Sequence, residues 1–190
     1  SGKMGYALAA AARDRGAQVT LVSAPTALDA PRGVERIDVE SAQQMHDAVL
    51  ERVSECDALI MAAAVADYRP REFQAQKIKK EGEGLLLSLE RAPDILLAVA
   101  GRRAETGRPL FVAGFAAETE NLLTNAREKL ERKRLDLIVA NDVTAADSGF
   151  GADTNRVVLL DRAGAEELPL MAKEEVAHHI LDRVRRRLSG

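Results

Sequence analysis

The sequence predicts an α/β fold: a doubly wound, mainly parallel sheet with helices on both faces and a β-hairpin towards the C-terminal end. Three observations predict it. Short apolar runs alternate with stretches whose apolar residues recur at helical spacing, the order expected of a parallel sheet with crossover helices. Residues 57–65 carry no charge after the first and are apolar without alternation, as a strand covered on both faces should be. The 190 residues are 46% hydrophobic but only 3% aromatic, with no tryptophan, so the core must be built from Ala, Val, Leu and Ile. That length fits one core, hence a single domain over residues 1–190. The architecture these features predict is Rossmann-like.

The elements follow in order. Ser1-Gly2-Lys3-Met4-Gly5 opens an alanine-rich helix to Arg15, with Gly16 where a helix-terminating glycine sits. Residues 18–23 are β-branched and apolar, stop before Pro25 and read as a strand; residues 34–39 are a weaker extended segment. Ser41 and Gln44 have the form of a capping box, starting a helix that carries Met45, Val49 and Val53 at helical spacing. The 57–65 strand then gives way to a loop, Asp67-Tyr68-Arg69-Pro70 with the basic cluster Lys77-Ile78-Lys79-Lys80, and to a strand at 85–89. Pro93 and Asp94 begin the next helix, proline being suited to a first turn. Residues 110–115 form a strand ending at Gly114-Phe115, and a helix from about 118 to 134 buries Leu122, Ala126 and Leu130. Residues 136–140 are a further buried strand leading to Asn141-Asp142, and 156–161 pairs with 166–170 as a hairpin around Ala163-Gly164. A last helix starts at Lys173 and ends in basic residues. In this fold class ligands are held by loops at the carboxyl ends of the strands.

A glycine turn that opens a helix normally receives its chain from a preceding strand, whereas this sequence begins inside the turn. The domain is therefore expected to be truncated at its N-terminus, with a strand, and any catalytic group it carries, upstream of Ser1. A formal charge of −3 and a pI near 5.7 argue against nucleic acid as a partner held by the overall field. The single cysteine, Cys56, excludes an internal disulfide framework, fits a reducing compartment and has the apolar neighbours of a packing residue. With no apolar run approaching ~20 residues and no signal-peptide pattern, neither a membrane partner nor export is expected, and the location read is cytoplasmic.

Several constellations could carry chemistry. Ser1 and Gly2 lie at a helix start, where free N–H groups and the helix dipole favour phosphate; the plain alternative is a tight turn with a serine cap. Lys77, Lys79 and Lys80, with Arg69 and Arg71, form a dense cationic loop that a polyphosphate would neutralise, or else a solvated loop. Lys129 and Lys133 share one helix face by their i, i+4 spacing. Phe115 ends a strand where its ring could stack on a base or pack in the core, and Asp67 could bind a base, a ribose or a metal, or simply form a turn. His46, His178, His179 and Cys56 show no zinc spacing. The dinucleotide fingerprint is absent, and Ser23-Ala24-Pro25-Thr26 stands where a ribose-binding acid would be, which disfavours an NAD-dependent oxidoreductase.

Six segments in order resemble phosphopantothenoylcysteine synthetase: Ser1-Gly2-Lys3-Met4-Gly5, residues 62–70 (AAAVADYRP), Lys77-Ile78-Lys79-Lys80, Pro93-Asp94-Ile95-Leu96, Gly114-Phe115-Ala116-Ala117-Glu118-Thr119 and Ala140-Asn141-Asp142-Val143. The similarity is to the bacterial CTP-dependent form, often fused behind a flavin-dependent decarboxylase. It implies a ligase joining (R)-4'-phosphopantothenate to L-cysteine through an acyl-cytidylate, with release of pyrophosphate and then CMP. It implies a nucleotide site of Ala63, Asp67, Lys77, Pro93, Asp94, Ile95, Leu96, Phe115, Lys129 and Lys133, with Lys77 catalytic, Ser1, Gly2, Lys79 and Lys80 on phosphate, and Mg²⁺ assisting through ligands not assigned. It further implies a homodimer and an asparagine upstream of Ser1 that handles the intermediate. The reading from another class is a nucleotide-binding or assembly module that does not catalyse.

Overall fold

Ala-rich sequence with no β-branched residue favours helix, and the chain opens accordingly with α1 (Lys3–Asp14), which is closed by Gly16 at φ +84°. In this computed structural model, which describes residues 1–72, 76, 84–118, 122–142 and 151–189, α1 leads to β1 (Thr20–Ser23) and its parallel partner β2 (Glu35–Asp38). The capping box forms as the sequence predicts. Ser41 Oγ accepts from Gln44 N at 3.1 Å, and Gln44 Oε1 accepts from Ser41 N at 3.0 Å, starting α2 (Ala42–Arg52). There follow β3 (Ala58–Met61), the antiparallel pair β4 (Tyr68–Pro70) and β5 (Leu89–Arg91), α3 (Ile95–Thr106), β6 (Phe111–Glu118), α4 (Leu122–Arg132) and β7 (Leu137–Asp142). The C-terminal hairpin is β8 (Thr154–Leu160) with β9 (Ala165–Ala172), and α5 (Lys173–Leu188) completes the chain's elements.

The main sheet runs β3-β6-β7-β8-β9, parallel through β7 and antiparallel across the hairpin. Because side chains alternate along a strand, β6 feeds both faces: Phe111 and Ala113 join α1 and α5, whereas Val112 and Ala116 join α2, α3 and α4. Two apolar cores therefore flank one sheet, as a doubly wound fold requires.

Five expectations need correction. The continuous run 57–65 yields only the four residues of β3, half-buried at the edge of the sheet, because no described strand pairs with its second side. The expected loop 67–70 contains β4, and the expected strand 85–89 contributes only Leu89 to β5; Leu85, Leu86 and Leu87 are exposed and outside any strand. Pro93 precedes the helix instead of entering its first turn, since the Asp94 carboxylate takes the cap. Glu118 ends β6 and does not begin a helix; pairing with β7 through Glu118↔Asp142 carries the strand further than its apolar run.

The β1–β2 pair and β3 share one core. Val22 of β1 and Ile37 of β2 pack against the same core as Leu59 and Met61 of β3. Helix α1 reaches over both: Tyr6 Oη lies 2.9 Å from Ser23 Oγ, and a methyl at Gly5 would stand 4.0 Å from Ala62 Cβ. Among the described residues no hydrogen-bonded strand joins the two sheets beneath this helix.

Candidate nucleotide and phosphate site

The carboxyl ends of β3, β6 and β7 lie at one end of the sheet, and the sequence places most of its candidate residues there. Asp94 is the N-cap of α3: its Oδ1 accepts from Leu97 N at 3.2 Å and from Lys133 Nζ at 3.0 Å. Lys129, one turn earlier on α4, donates to the Phe115 carbonyl oxygen at 2.7 Å. The i, i+4 pair thus sends one ammonium to the middle of β6 and the other to the start of α3. Asp67 joins this group through its backbone, its carbonyl oxygen accepting from Ala92 N at 2.9 Å just before Pro93. Its side chain is exposed, as is Ala63 beyond the end of β3.

Some predicted residues can act only through the main chain. Ile95 and Leu96 are 2% and 5% exposed in the second core, so what they offer a ligand is the backbone N–H of the first turn of α3. The Phe115 ring is partly buried against the first core, the packing role weighed for it. Gly114 allows β6 to pass close to its neighbours, since an added Cβ would meet Leu135 Cδ1 at 3.0 Å and Leu96 Cδ1 at 3.2 Å. Lys77, Lys79 and Lys80 lie outside the described residues.

At the start of α1 the cap is Gly2, at φ +72°, and no side chain caps the helix; the serine-cap reading of Ser1 is thereby replaced. The Ser1 carbonyl oxygen accepts from Thr26 Oγ1 at 3.3 Å, which ties the turn to the loop after β1.

Sequence reasoning missed a polar cluster at the same end of the sheet. Lys3 Nζ donates to Gly151 O at 3.0 Å and to Asp153 Oδ1 at 2.6 Å, and Lys173 Nζ donates to Ala152 O at 2.5 Å. Hydrogen bonding and the nearby charge of Lys3 hold the Asp153 carboxyl below the usual carboxylate range. Burial, and then repulsion from Lys3, push the Lys173 ammonium below the usual lysine value. Asn141 and Asn155, 7% and 3% exposed, end β7 and begin β8 beside it. The available signal was a lysine opening an amphipathic helix, where an acid is normally favoured.

Elsewhere the reactive side chains are occupied. Cys56 is half-buried, donates to Arg52 O at 3.3 Å, and has its thiol pushed up chiefly by burial. His46 pairs with Asp47, and His178 Nδ1 accepts from Arg15 Nε at 3.2 Å. Among the described residues no group of three or more His, Cys, Asp or Glu could hold a metal ion, and no helix is long and apolar enough to cross a membrane.

A doubly wound sheet with its capping carboxylate, lysines and helix N-termini at the strand carboxyl ends defines the class of α/β proteins that take ligands at that edge. Residues 1–188 match the family described as DNA/pantothenate metabolism flavoprotein, C-terminal domain, and the chain belongs to it. It is 46% identical over 187 residues to the coenzyme A biosynthesis bifunctional protein CoaBC of Vibrio parahaemolyticus, covering 97% of this chain and 46% of that protein. Against CoaBC of Bacillus subtilis the identity is 46% over 186 residues, covering 97% and 45%. The chain thus spans about half the length of these relatives. The crystal structure of a CoaBC C-terminal domain superposes with a TM-score of 0.81 at 41% identity, covering all of this chain and 85% of that one. A Cab2 mutant in complex with phosphopantothenate-cysteine, at 16% identity, 83% and 55% coverage and a TM-score of 0.66, shares the fold.

Proposed function

We propose that this domain is the synthetase that joins 4'-phosphopantothenate to cysteine in coenzyme A biosynthesis, activating the carboxylate with CTP. The observation that carries the reading is the convergence of Lys129 on Phe115 and of Lys133 on Asp94, beside Asp67, in a chain 46% identical to proteins named for that pathway. The substrate carboxylate attacks the α-phosphate of CTP, pyrophosphate leaves, and the cysteine amine then displaces CMP from the acyl-cytidylate.

In this reaction the chain's own work is to position and stabilise charge on the phosphates. The N–H groups opening α3 and the ammonium groups of Lys129 and Lys133 border the nucleotide, with Phe115 beside the base. Lys77 stabilises the transferring phosphate, Lys79 and Lys80 the leaving phosphates, and the Ser1-Gly2 turn holds a phosphate at the start of α1. Mg²⁺ ordinarily keeps several waters and takes one or two carboxylates plus substrate phosphates, a role that the exposed Asp67 carboxylate suits. The ion supplies charge neutralisation on the phosphates.

The reading also includes a cytoplasmic homodimer, a decarboxylase fused upstream, and a strand upstream of Ser1 that inserts between β1 and β3. The exposed Tyr68, Leu85, Leu86, Leu87 and Leu89 around the β4–β5 pair support a surface that a second copy covers. Among the described residues no strand pairs with the second side of β3, which supports the inserted strand.

The test is pyrophosphate release from CTP with 4'-phosphopantothenate, in protein extended upstream of Ser1, with and without cysteine. Substrate-dependent release, with CMP only when cysteine is added, is expected; CTP binding without release would favour the non-catalytic module. Lys77→Gln should abolish release while leaving the fold intact, and full turnover in a folded variant would remove Lys77 from the mechanism.

A further inference from the structure

The segment 151–153 is held by two helix N-termini at once. Lys3, the first residue of α1, takes the Gly151 carbonyl and the Asp153 carboxylate through its ammonium. Lys173, the first residue of α5, takes the Ala152 carbonyl through its ammonium and the Asp153 carbonyl through its backbone N–H at 3.0 Å. Three consecutive residues therefore receive four hydrogen bonds from two lysines that are 170 positions apart in sequence but adjacent at the ligand end of the sheet.

Lys173 is an expensive residue to place there. It is 3% exposed, it stands at the positive end of a helix, and a second ammonium is near enough to disfavour its charge. An apolar residue of similar length would avoid all three costs, and an acid able to cap the helix would avoid the last two. What it holds offsets these costs. The carbonyl it binds belongs to the segment that fixes Lys3, and Lys3 follows directly on the Ser1-Gly2 turn. We propose that Lys173 is a positioning residue: acting through segment 151–153 and Lys3, it sets the Ser1-Gly2 turn and the first N–H groups of α1 for the phosphate of the acid substrate. The inference rests on the synthetase reading given above.

The experiment compares wild type, Lys173→Met, Lys3→Met and the double variant in protein extended upstream of Ser1. It reads pyrophosphate release at varied 4'-phosphopantothenate and at varied CTP, and binding of 4'-phosphopantothenate by calorimetry. Misplacement of a binding group by about 1 Å can cost up to ~100-fold, so Lys173→Met should raise KM for 4'-phosphopantothenate by about tenfold. KM for CTP should stay within about twofold, and the double variant should be no worse than the poorer single one, because both act through one segment. An unchanged KM for 4'-phosphopantothenate, or a loss shared equally by both substrates, overturns the inference and leaves the synthetase reading standing. Absence of turnover in the wild type overturns both. If Lys173→Met does not fold, Lys3→Met carries the same test from the half-exposed side of the latch, and an unaltered KM and dissociation constant there is equally decisive.

Discussion

Lys133 crosses from α4 to the start of α3 and places its ammonium 3.0 Å from Asp94 Oδ1, the same oxygen that accepts from Leu97 N. One carboxylate therefore caps a helix and pins a lysine that the family resemblance implies for the nucleotide site.

The two roles separate by substitution. Asparagine caps a helix about as well as aspartate but forms no ion pair, whereas alanine does neither. Asp94→Ala should therefore be less stable than Asp94→Asn by about 1 kcal/mol in urea unfolding, the usual cost of a lost cap. Asp94→Asn itself should lie within about 1 kcal/mol of wild type, because the pair is partly exposed. Equal stability of the two variants would show that the cap contributes nothing measurable.

Phe115 calls for a replacement that keeps its apolar volume, because its ring packs partly against the first core. Phe115→Leu should retain most of the stability yet bind CTP about tenfold more weakly, since stacking on a base is worth ~1–3 kcal/mol. Calorimetric titration gives the dissociation constant, and thermal unfolding gives the stability. An unaltered dissociation constant would assign the ring to packing alone.

The helices were the most legible part of the sequence, because their signals are local. The Ser41/Gln44 box, the Gly16 terminator and the Leu122, Ala126, Leu130 stripe each depend on residues a turn or two apart. Strand extent was less legible because it depends on a partner distant in sequence: residues 57–65 read as a central strand, yet among the described residues only Ala58–Met61 pair, with β6. The site divides in the same way. Motif segments singled out Asp94 and Phe115 as candidates and helical spacing singled out Lys129 and Lys133, but Lys3, Asp153 and Lys173 come together only through the packing of α1 on α5, a contact no local pattern encodes.

The mismatch at β3 yields a prediction of its own. A run with the composition of a doubly covered strand is only half-buried, and α1 reaches both Ala62 just beyond it and Ser23 of β1. Protein extended upstream of Ser1 should protect the amides of Leu59 and Ile60 from hydrogen exchange more strongly than this chain does. Its thermal midpoint should rise by about 5 °C or more, since each kcal/mol gained moves a domain of this size by ~2–4 °C. Identical protection in both would place the added residues elsewhere in the fold.

Acid should weaken the latch at Asp153 with a definite sign. Lys3 holds this carboxyl below the usual carboxylate range, so the folded state binds its proton less readily than the unfolded chain does. The stabilisation is complete above the ordinary aspartate value and is lost as pH falls through the lower folded one. Asp153→Asn removes that titration. The urea midpoint of the variant should therefore fall less steeply than that of wild type between about pH 5 and about pH 3, the range in which a carboxylate of ordinary or lowered pKa takes up its proton. Glu35, Asp47 and Asp182, whose pKa values are also lowered, titrate in both proteins and leave the difference between the two curves to Asp153. The carboxylate is exposed, so added salt should shrink that difference, whereas parallel curves at low salt would mean that the Lys3–Asp153 pair is not made in solution.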